Sequence, residues 1–294
     1  MMVKKIVTGL LLCCTGFLFS CTSLSNNLVQ DQEEFVAIKE QKISLDAKPD
    51  KVSIYKSGGL RDLNVHIFFS DNATDTNKVP AVILYYGGGF NKGSPSQFYL
   101  QAQYLSQNGF TVILPEYRVW SIDRTPPNVS LMDAKSAYRW VVKKADTLNI
   151  DVERIAVGGG SAGGYLAAAV ATVPGFNDKE DEITIGIQPK HLLLLNPLLD
   201  ASKNRVNRPY GKLMSPFHNV VEGHPGTLIM TGDKDKVTPL SVAEKYRDKV
   251  IELGSSARLV VYPNAGHGFF NYKKSSAFFI ETTVLMSEYL EAEL

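Results

Sequence analysis

Three residues of this sequence have the types and the order that nucleophilic catalysis requires. A serine lies in the run Gly159-x-Ser161-x-Gly163, an aspartate follows further along the chain, and the histidine His267 comes last. A serine hydroxyl is a poor nucleophile at neutral pH, so it needs a base within hydrogen-bond reach and a third group that orients this base. The chemistry that such a set supports is acyl transfer through a covalent acyl-serine.

The serine stands where a strand would turn sharply into a helix. Apolar residues 155–157 precede it, and the helix-forming run 165–169 follows. Glycine neighbours allow the strand and the helix to approach closely, and the turn exposes the hydroxyl beside the helix N-terminus. An alternative interpretation is a dinucleotide-binding turn, because Gly158, Gly160 and Gly163 satisfy the spacing G-x-G-x-x-G. That interpretation lacks an acidic residue at a strand end about 20 residues later, where a ribose would be bound.

His267 is the candidate base because it follows the aspartates and lies between two glycines, on a loop that can bend into a site. An imidazole ordinarily titrates near pH 6.5, which suits proton transfer. Three other histidines precede the strand that carries the aspartates and so break the order; they are His191, His218 and His224. His66 falls at a polar position of a strand, and we expect it to be structural.

Two aspartates compete for the role of orienting the imidazole. Asp235 lies further out on its loop, where it can turn toward His267, and a helix follows from about Pro239. Asp233 lies closer to the strand, and we expect it to hold the turn through backbone hydrogen bonds. We therefore predict Asp235 as the third catalytic residue.

Backbone donors are also needed, because acyl transfer forms a negatively charged tetrahedral oxygen. Gly88 and Gly89 follow a strand that ends at Tyr85, and glycines present their N–H groups without side-chain obstruction. The N–H of Ala162, directly after the serine, is the third predicted donor of this oxyanion hole.

The surrounding pattern alternates strands and helices. Continuous apolar runs predict strands buried on both faces, at 79–85, 111–114, 155–157, 192–195, 227–230 and 259–262. Helical patterns lie between them, at 96–108, 131–148, 162–172, 239–253 and 275–290. An alternating pair, 52–55 and 63–68, predicts an antiparallel hairpin before them. The predicted fold is a doubly wound, mostly parallel sheet with an antiparallel N-terminal edge and helices on both faces.

The N-terminus carries the signs of export. Lys4 and Lys5 precede an apolar run that is too short to span a bilayer, which predicts a signal peptide at residues 1–20. The run Leu18-Phe19-Ser20-Cys21 resembles a bacterial lipoprotein box, so we predict that Cys21 is lipidated and tethers the protein in the cell envelope. An ordinary cleaved signal is the alternative. Residues 21–50 are predicted to be a spacer, with a short helix at 33–40 as an alternative, and residues 51–294 a catalytic domain.

Composition narrows the function further. The chain has 294 residues and a formal net charge of +1, without a basic stripe, so a nucleic acid is not an expected partner. All three cysteines lie within the first 21 residues, which excludes disulfides, thiolate metal sites and a cysteine nucleophile from the rest of the chain. No metal and no cofactor is expected, and the oligomeric state is left open.

Six ordered motifs between about residues 52 and 292 resemble the α/β-hydrolase esterases of the hormone-sensitive-lipase-like and bacterial acetyl-esterase type. They are Gly87-Gly88-Gly89, Pro115-Glu116-Tyr117-Arg118, the helix from Asp133-Ala134 to Arg139-Trp140, Gly160-Ser161-Ala162-Gly163-Gly164, the stretch 232–239, and Gly266-His267-Gly268-Phe269. The resemblance implies carboxylester hydrolysis by Ser161, Asp235 and His267, with Gly88, Gly89 and Ala162 as oxyanion hole. Tyr86 replaces the histidine of the family's His-Gly-Gly-Gly, and a tyrosine can still pack its ring and form a hydrogen bond.

The expected activity is removal of short, acetyl-like acyl groups, with carbohydrate esters among the candidate substrates. Residues 197–225 form the longest irregular stretch between strands and carry Lys203, Arg205, Arg208 and Lys212. A run of this kind is more often a solvated loop, but if it borders the site it favours polar or acidic alcohols. The alternatives are a serine peptidase on the same fold and a surface protein that binds without catalysis.

Overall fold

The computed structural model describes residues 35–57, 59–202 and 210–294. A small antiparallel pair opens this part of the chain, formed by β1 (Phe35–Ile38) and β2 (Gln41–Ser44). The strands of the main sheet are β3 (Lys51–Lys56), β4 (Leu63–Phe68), β5 (Val79–Tyr85), β6 (Thr111–Pro115), β7 (Ile150–Gly160), β8 (His191–Leu195), β9 (Gly226–Gly232) and β10 (Ala257–Tyr262). The helices are α1 (Tyr99–Gln107), α2 (Trp120–Asp123), α3 (Pro127–Lys144), α4 (Ala162–Thr172), α5 (Leu240–Glu252) and α6 (Ser276–Glu293).

The main sheet has the strand order β3-β4-β6-β5-β7-β8-β9-β10. The pairs from β6 through β10 are parallel, whereas β3 pairs antiparallel with β4 and β4 antiparallel with β6. The predicted fold, a mostly parallel sheet with an antiparallel N-terminal edge, is confirmed. The carboxyl ends of the parallel strands share one edge, and the loops that leave this edge carry the predicted site residues.

The centre of the sheet is covered on both faces. Residues 81–85 of β5 and 192–195 of β8 are each at most 1% exposed. Because successive side chains of a strand point to opposite faces, such unbroken burial requires a layer on each side. α4 packs against β5, β7, β8 and α3, while α1 packs against β6 and α6. The strands that end at the candidate site are therefore held rigidly on both sides.

Two element boundaries differ from the sequence prediction. The strand predicted at 155–157 is β7, which already begins at Ile150. The helix predicted from 131 is α3, which begins at Pro127. Proline lacks the backbone N–H that the first turn of a helix leaves unpaired, so it is well suited to this position. The apolar pattern alone did not reveal this extra turn.

The first described residues belong to the folded body and do not form a spacer. Residues 35–44 form a β-hairpin, not the alternative helix at 33–40, and Ile38 and Ile43 are fully buried in a cluster with Tyr104 and Phe279. The backbone N–H of Ser44 also donates to Gln103 Oε1 at 2.9 Å. The folded body thus begins by residue 35, earlier than the predicted boundary at 51. The predicted signal peptide and Cys21 lie outside the described residues.

Within the described ranges, no helix combines the length and the apolar character that crossing a membrane requires.

Candidate active site

Ser161 occupies a strained turn between β7 and α4. Its φ and ψ angles are 56° and −116°, a conformation that costs a non-glycine residue about 1–3 kcal/mol. The turn is tight because the neighbouring glycines touch backbone: a Cβ on Gly159 would lie 2.4 Å from the carbonyl oxygen of Tyr85, and one on Gly163 only 1.9 Å from it. The serine N–H donates to the carbonyl of Leu195 at 2.9 Å. Backbone contacts therefore fix the hydroxyl at the carboxyl edge of the sheet.

His267 lies between Ser161 and Asp235, on the loop between β10 and α6. Its Nε2 is 2.8 Å from Ser161 Oγ, and its Nδ1 is 2.7 Å from Asp235 Oδ2. The structure thus brings together the three residues that the sequence singled out, across separations of 106 and 32 positions. In this geometry the imidazole can take a proton from the serine at one nitrogen while the carboxylate holds the other.

Asp235 is a buried carboxylate with four donors. Its Oδ1 accepts from the backbone N–H groups of Val237 at 2.8 Å and Thr238 at 2.9 Å, and its Oδ2 accepts from the Thr238 hydroxyl at 2.6 Å and from His267. Burial by itself raises the pKa of Asp235, but the bonds from Thr238, His267 and Val237 outweigh burial and lower this pKa. The carboxylate is therefore ionised at neutral pH.

Asp233 has a different task. Its side chain is exposed, and its Oδ1 accepts from the backbone N–H of Asn264 at 2.7 Å. The backbone N–H of Lys234 donates to the carbonyl of Ala265 at 3.0 Å in the same region. Asp233 thus helps to join the loop after β9 to the loop that carries His267, as expected for an aspartate that ties a turn.

The loop after β5 presents free backbone donors next to the serine. Gly88 and Gly89 are exposed, with φ angles of 128° and 65°. No hydrogen bond among the described residues uses the N–H groups of Gly88, Gly89 or Ala162. The N–H of Gly87, in contrast, donates to Gln97 Oε1 at 2.6 Å. The three donors predicted for the oxyanion hole are thus available for an incoming oxygen, and their role stays a prediction.

Tyr86 stabilises the glycine loop through its contacts with Tyr117. Its ring stacks on that of Tyr117, with centroids 4.1 Å apart and planes at 14°. Each tyrosine hydroxyl also donates to the other residue's backbone carbonyl, at 3.1 Å for Tyr86 and 2.7 Å for Tyr117. Burial raises the pKa of Tyr86, so the hydroxyl remains a donor at neutral pH. Stacking and reciprocal hydrogen bonds therefore hold the loop through the tyrosine that replaces the histidine implied by the sequence resemblance.

Two residues of the site were missed by sequence reasoning. Asn196 directly follows β8 and is fully buried, and its Oδ1 accepts from the backbone N–H of Gly268 at 3.0 Å, next to the histidine. Gln97 binds the Gly87 N–H and donates through Nε2 to Asn271 Oδ1 at 3.1 Å, so it links the glycine loop to the histidine loop. The position of Asn196 at the carboxyl end of a strand was the one available signal.

The other histidines lie elsewhere. His191 Nδ1 and Tyr289 Oη are 3.0 Å apart, and buried His224 contacts Tyr246 Oη at 2.8 Å. His66 bonds to Tyr99, which agrees with a structural role. Of the basic residues in the stretch 197–225 named above, Lys212 is exposed, whereas Lys203, Arg205 and Arg208 lie outside the described residues.

Comparisons with known proteins find esterase and peptidase families of one kind of hydrolase. Residues 66–191 match the family model described as BD-FAE, and residues 197–291 match the prolyl oligopeptidase family. The chain is 26% identical to Esterase LipC of Mycobacterium tuberculosis over 66% of this chain and 54% of that protein. It is 24% identical to an acetylxylan esterase of Xylanibacter ruminicola over 64% of this chain and 41% of that protein. It thus spans about half the length of these curated relatives.

A solved structure matches most of the chain. Thermogutta terrifontis esterase 2, phosphorylated by paraoxon, superimposes with a TM-score of 0.78 and 32% sequence identity, over 82% of this chain and 92% of that chain. The propionate-bound form of that protein is equally similar, with a TM-score of 0.78 and 31% identity. At this identity and coverage the likeness extends beyond the fold.

Proposed function

Since the chain belongs to the α/β-hydrolase carboxylesterases of the hormone-sensitive-lipase-like type, we propose that it hydrolyses short-chain carboxylic esters through an acyl-enzyme on Ser161. The observation that carries this proposal is the unbroken series of contacts from Ser161 Oγ through His267 to Asp235, at 2.8 and 2.7 Å. Thermogutta esterase 2 is phosphorylated by paraoxon, and an activated serine in this chain would react in the same manner.

The proposed reaction has two halves. Ser161 Oγ attacks the ester carbonyl carbon and gives its proton to His267 Nε2, and the carbonyl oxygen becomes an oxyanion. His267 then returns the proton to the departing alkoxide, which leaves as the alcohol. In the second half a water gives its proton to His267 and attacks the acyl-serine, and the proton returns to Ser161 Oγ as the carboxylic acid leaves.

Two features of the site lower the barrier. The N–H groups of Gly88, Gly89 and Ala162 stabilise the oxyanion, and a donor of this kind contributes about 3 kcal/mol. The ionised Asp235 fixes the imidazole with Nδ1 protonated, so that Nε2 faces the serine as the acceptor, and its charge compensates the imidazolium that forms.

We further propose that the acyl group is short and that sugar alcohols are among the substrates. The acetylxylan esterase relative is named for an acetylated polysaccharide, and the Thermogutta esterase was solved with propionate and with butyrate. We expect kcat/KM for p-nitrophenyl esters to fall steeply as the acyl chain lengthens from acetyl to decanoyl. Faster hydrolysis of the decanoyl ester, below its micelle concentration, would refute the short-acyl preference.

A peptidase on the same fold is the second candidate, and the match of residues 197–291 to the prolyl oligopeptidase family favours it. A matched panel distinguishes the two: acetate esters and acylated amino-acid p-nitroanilides, each assayed with the parent enzyme and with Ser161→Ala. We expect ester hydrolysis to dominate and to disappear in Ser161→Ala. Anilide hydrolysis that exceeds ester hydrolysis and depends on Ser161 would establish the peptidase instead.

For the location we propose export and a lipid anchor on Cys21, from the basic start, the apolar run and the serine before the cysteine. Several acyl chains are needed for stable anchoring, because one chain binds membranes only marginally. Replacement of Cys21 by alanine should release the protein from the membrane fraction. Equal membrane association of the Cys21→Ala protein would overturn the proposal.

A further inference from the structure

A cleft with a volume of 590 Å³ borders the glycine loop on the side of Gly87 and Gly88, and its lining combines polar groups with the apolar side chains of Leu45, Leu100 and Phe279. This is a normal size for a site that binds a small molecule, for which about 300–1,000 Å³ is typical. Two of its walls come from the loop after β5 and from the loop that follows His267, and the hydrogen bond between Gln97 and Asn271 joins these two loops. A group bound there would lie beside the proposed oxyanion donors.

The charged residues that line this cleft are two lysines. Lys92 comes from the glycine loop, where its backbone N–H donates to the carbonyl of Gly88 at 3.2 Å, and Lys273 comes from the opposite wall. No aspartate or glutamate lines the cleft, and neither ammonium group forms an ion pair within the described residues. Because a cleft lined by one sign of charge focuses its field, this cleft attracts an anion.

The other side of the same loop is apolar. A cavity of 400 Å³ borders Gly89 and is lined by Phe90, Trp120, Pro126 and Pro127 among others. An ester whose carbonyl oxygen contacts the glycine N–H groups extends its acyl part in one direction and its alcohol part in the other. The apolar cavity suits the hydrocarbon acyl part, and the lysine-lined cleft suits a polar alcohol.

We propose that the cleft between Lys92 and Lys273 binds a carboxylate on the alcohol part of the ester, so that the preferred substrates are short acyl esters of acidic sugars such as uronic acids. This inference rests on the proposed esterase function. It assigns the recognition of an acidic alcohol to two residues in the described chain, distinct from the basic stretch that contains Lys203, Arg205 and Arg208.

The test compares two substrates that differ in one charge. The first is an O-acetylated methyl galacturonoside, and the second is the corresponding galacturonamide, which is neutral, of nearly the same shape and not a carboxylic ester at that position. Released acetate is measured for both, and the readout is the ratio of their kcat/KM values. We expect the acid to be preferred by about four- to twenty-fivefold, because an exposed ion pair contributes about two- to fivefold for each of the two lysines.

Substitutions of the two lysines test whether they cause the preference for the acidic substrate. Lys92→Gln and Lys273→Gln should each lower the acid-to-amide ratio by about two- to fivefold, and the double variant should bring it close to one. Lys245→Gln is the matched control, because Lys245 is exposed on α5 and does not line the cleft; its ratio should equal that of the parent. Raising the salt concentration from about 0.05 to 0.5 M should also lower the parent ratio, without any substitution.

The outcomes separate the two proposals. A parent ratio near one, or a ratio that the double lysine variant leaves unchanged, overturns the carboxylate site while the esterase function stands. Acetate release from either substrate by Ser161→Ala at the parent rate overturns the esterase function itself. A ratio that falls equally in Lys245→Gln assigns the preference to overall charge and also overturns the site.

Discussion

Exchanging each of the two competing aspartates for asparagine tests how the imidazole is oriented. In Asp235→Asn the backbone N–H groups of Val237 and Thr238 cannot rotate, so the amide oxygen must take the place of Oδ1, where both bonds are accepted. The amide nitrogen then takes the place of Oδ2 and faces His267 Nδ1 as a donor. The histidine can meet it only with an unprotonated Nδ1, which moves its proton to Nε2 and removes the acceptor for Ser161.

The expected loss in kcat is about 10³- to 10⁴-fold, as for a triad whose histidine is held in the wrong tautomer, which corresponds to about 4–5 kcal/mol of barrier. Asp233→Asn should keep kcat within about twofold, because an amide oxygen can still accept from Asn264 N–H, and an exposed change of this kind alters stability by about 0.5 kcal/mol. The assay is p-nitrophenyl acetate hydrolysis at pH 7.5 with thermal unfolding of both variants. A reversed ranking, or an Asp235→Asn enzyme that is folded and within tenfold of the parent, would refute the reasoning.

Three further outcomes are expected. Asn196→Ala removes the side-chain oxygen that accepts the hydrogen bond from the Gly268 N–H. We expect kcat to fall about tenfold, which corresponds to the loss of one buried hydrogen bond, while KM stays within twofold of the parent. A parent-like kcat would show that Asn196 does not position the histidine loop. Gly163→Ala would bring a Cβ to 1.9 Å from the Tyr85 carbonyl oxygen, so we expect it to lower the free energy of unfolding by about 3 kcal/mol. Gly186→Ala is the matched control, because a Cβ there meets open space, and it should cost less than about 0.5 kcal/mol. Equal unfolding midpoints of the two variants in denaturant would contradict the close-packed turn. Burial, and to a smaller extent the nearby charge of Arg139, lowers the pKa of Lys135 from 10.5 to about 8. Between these pH values the unfolded chain binds more protons than the folded chain, so the contribution of Lys135 to the free energy of unfolding should increase as pH rises from about 8 to 10.5. Parallel curves of stability against pH for the parent and Lys135→Met would contradict this.

The elements next to the chemistry were predictable because their signals are local. Continuous apolar runs indicated the buried strands, and the glycines around Ser161 indicated a turn that no larger residue could form, since a Cβ on Gly159 or Gly163 would collide with Tyr85. The order of serine, aspartate and histidine along the chain then indicated which residues could meet. The structure brings these residues together at hydrogen-bond distance.

The contacts that were missed depend on distant parts of the chain. The hairpin of residues 35–44 is held by Tyr104 and Phe279, from helices 60 or more residues away, so its polar surroundings suggested a spacer. Gln97 gains its role from Asn271, 174 positions later. The sequence already favoured Asp235 over Asp233, whereas the burial of the Asp235 carboxylate is visible only in the fold. Local patterns carry no record of such pairings.

The central claim is that Ser161 is the nucleophile of a serine hydrolase, and paraoxon labelling tests it most directly. Intact-mass measurement and peptide mapping of the parent protein should show one phosphoryl adduct, on Ser161, with esterase activity lost in proportion to labelling. Folded Ser161→Ala should take up no label and should lose ester hydrolysis by about 10⁴-fold or more. An adduct on another residue, or a Ser161→Ala protein that is still labelled and active, would contradict the account.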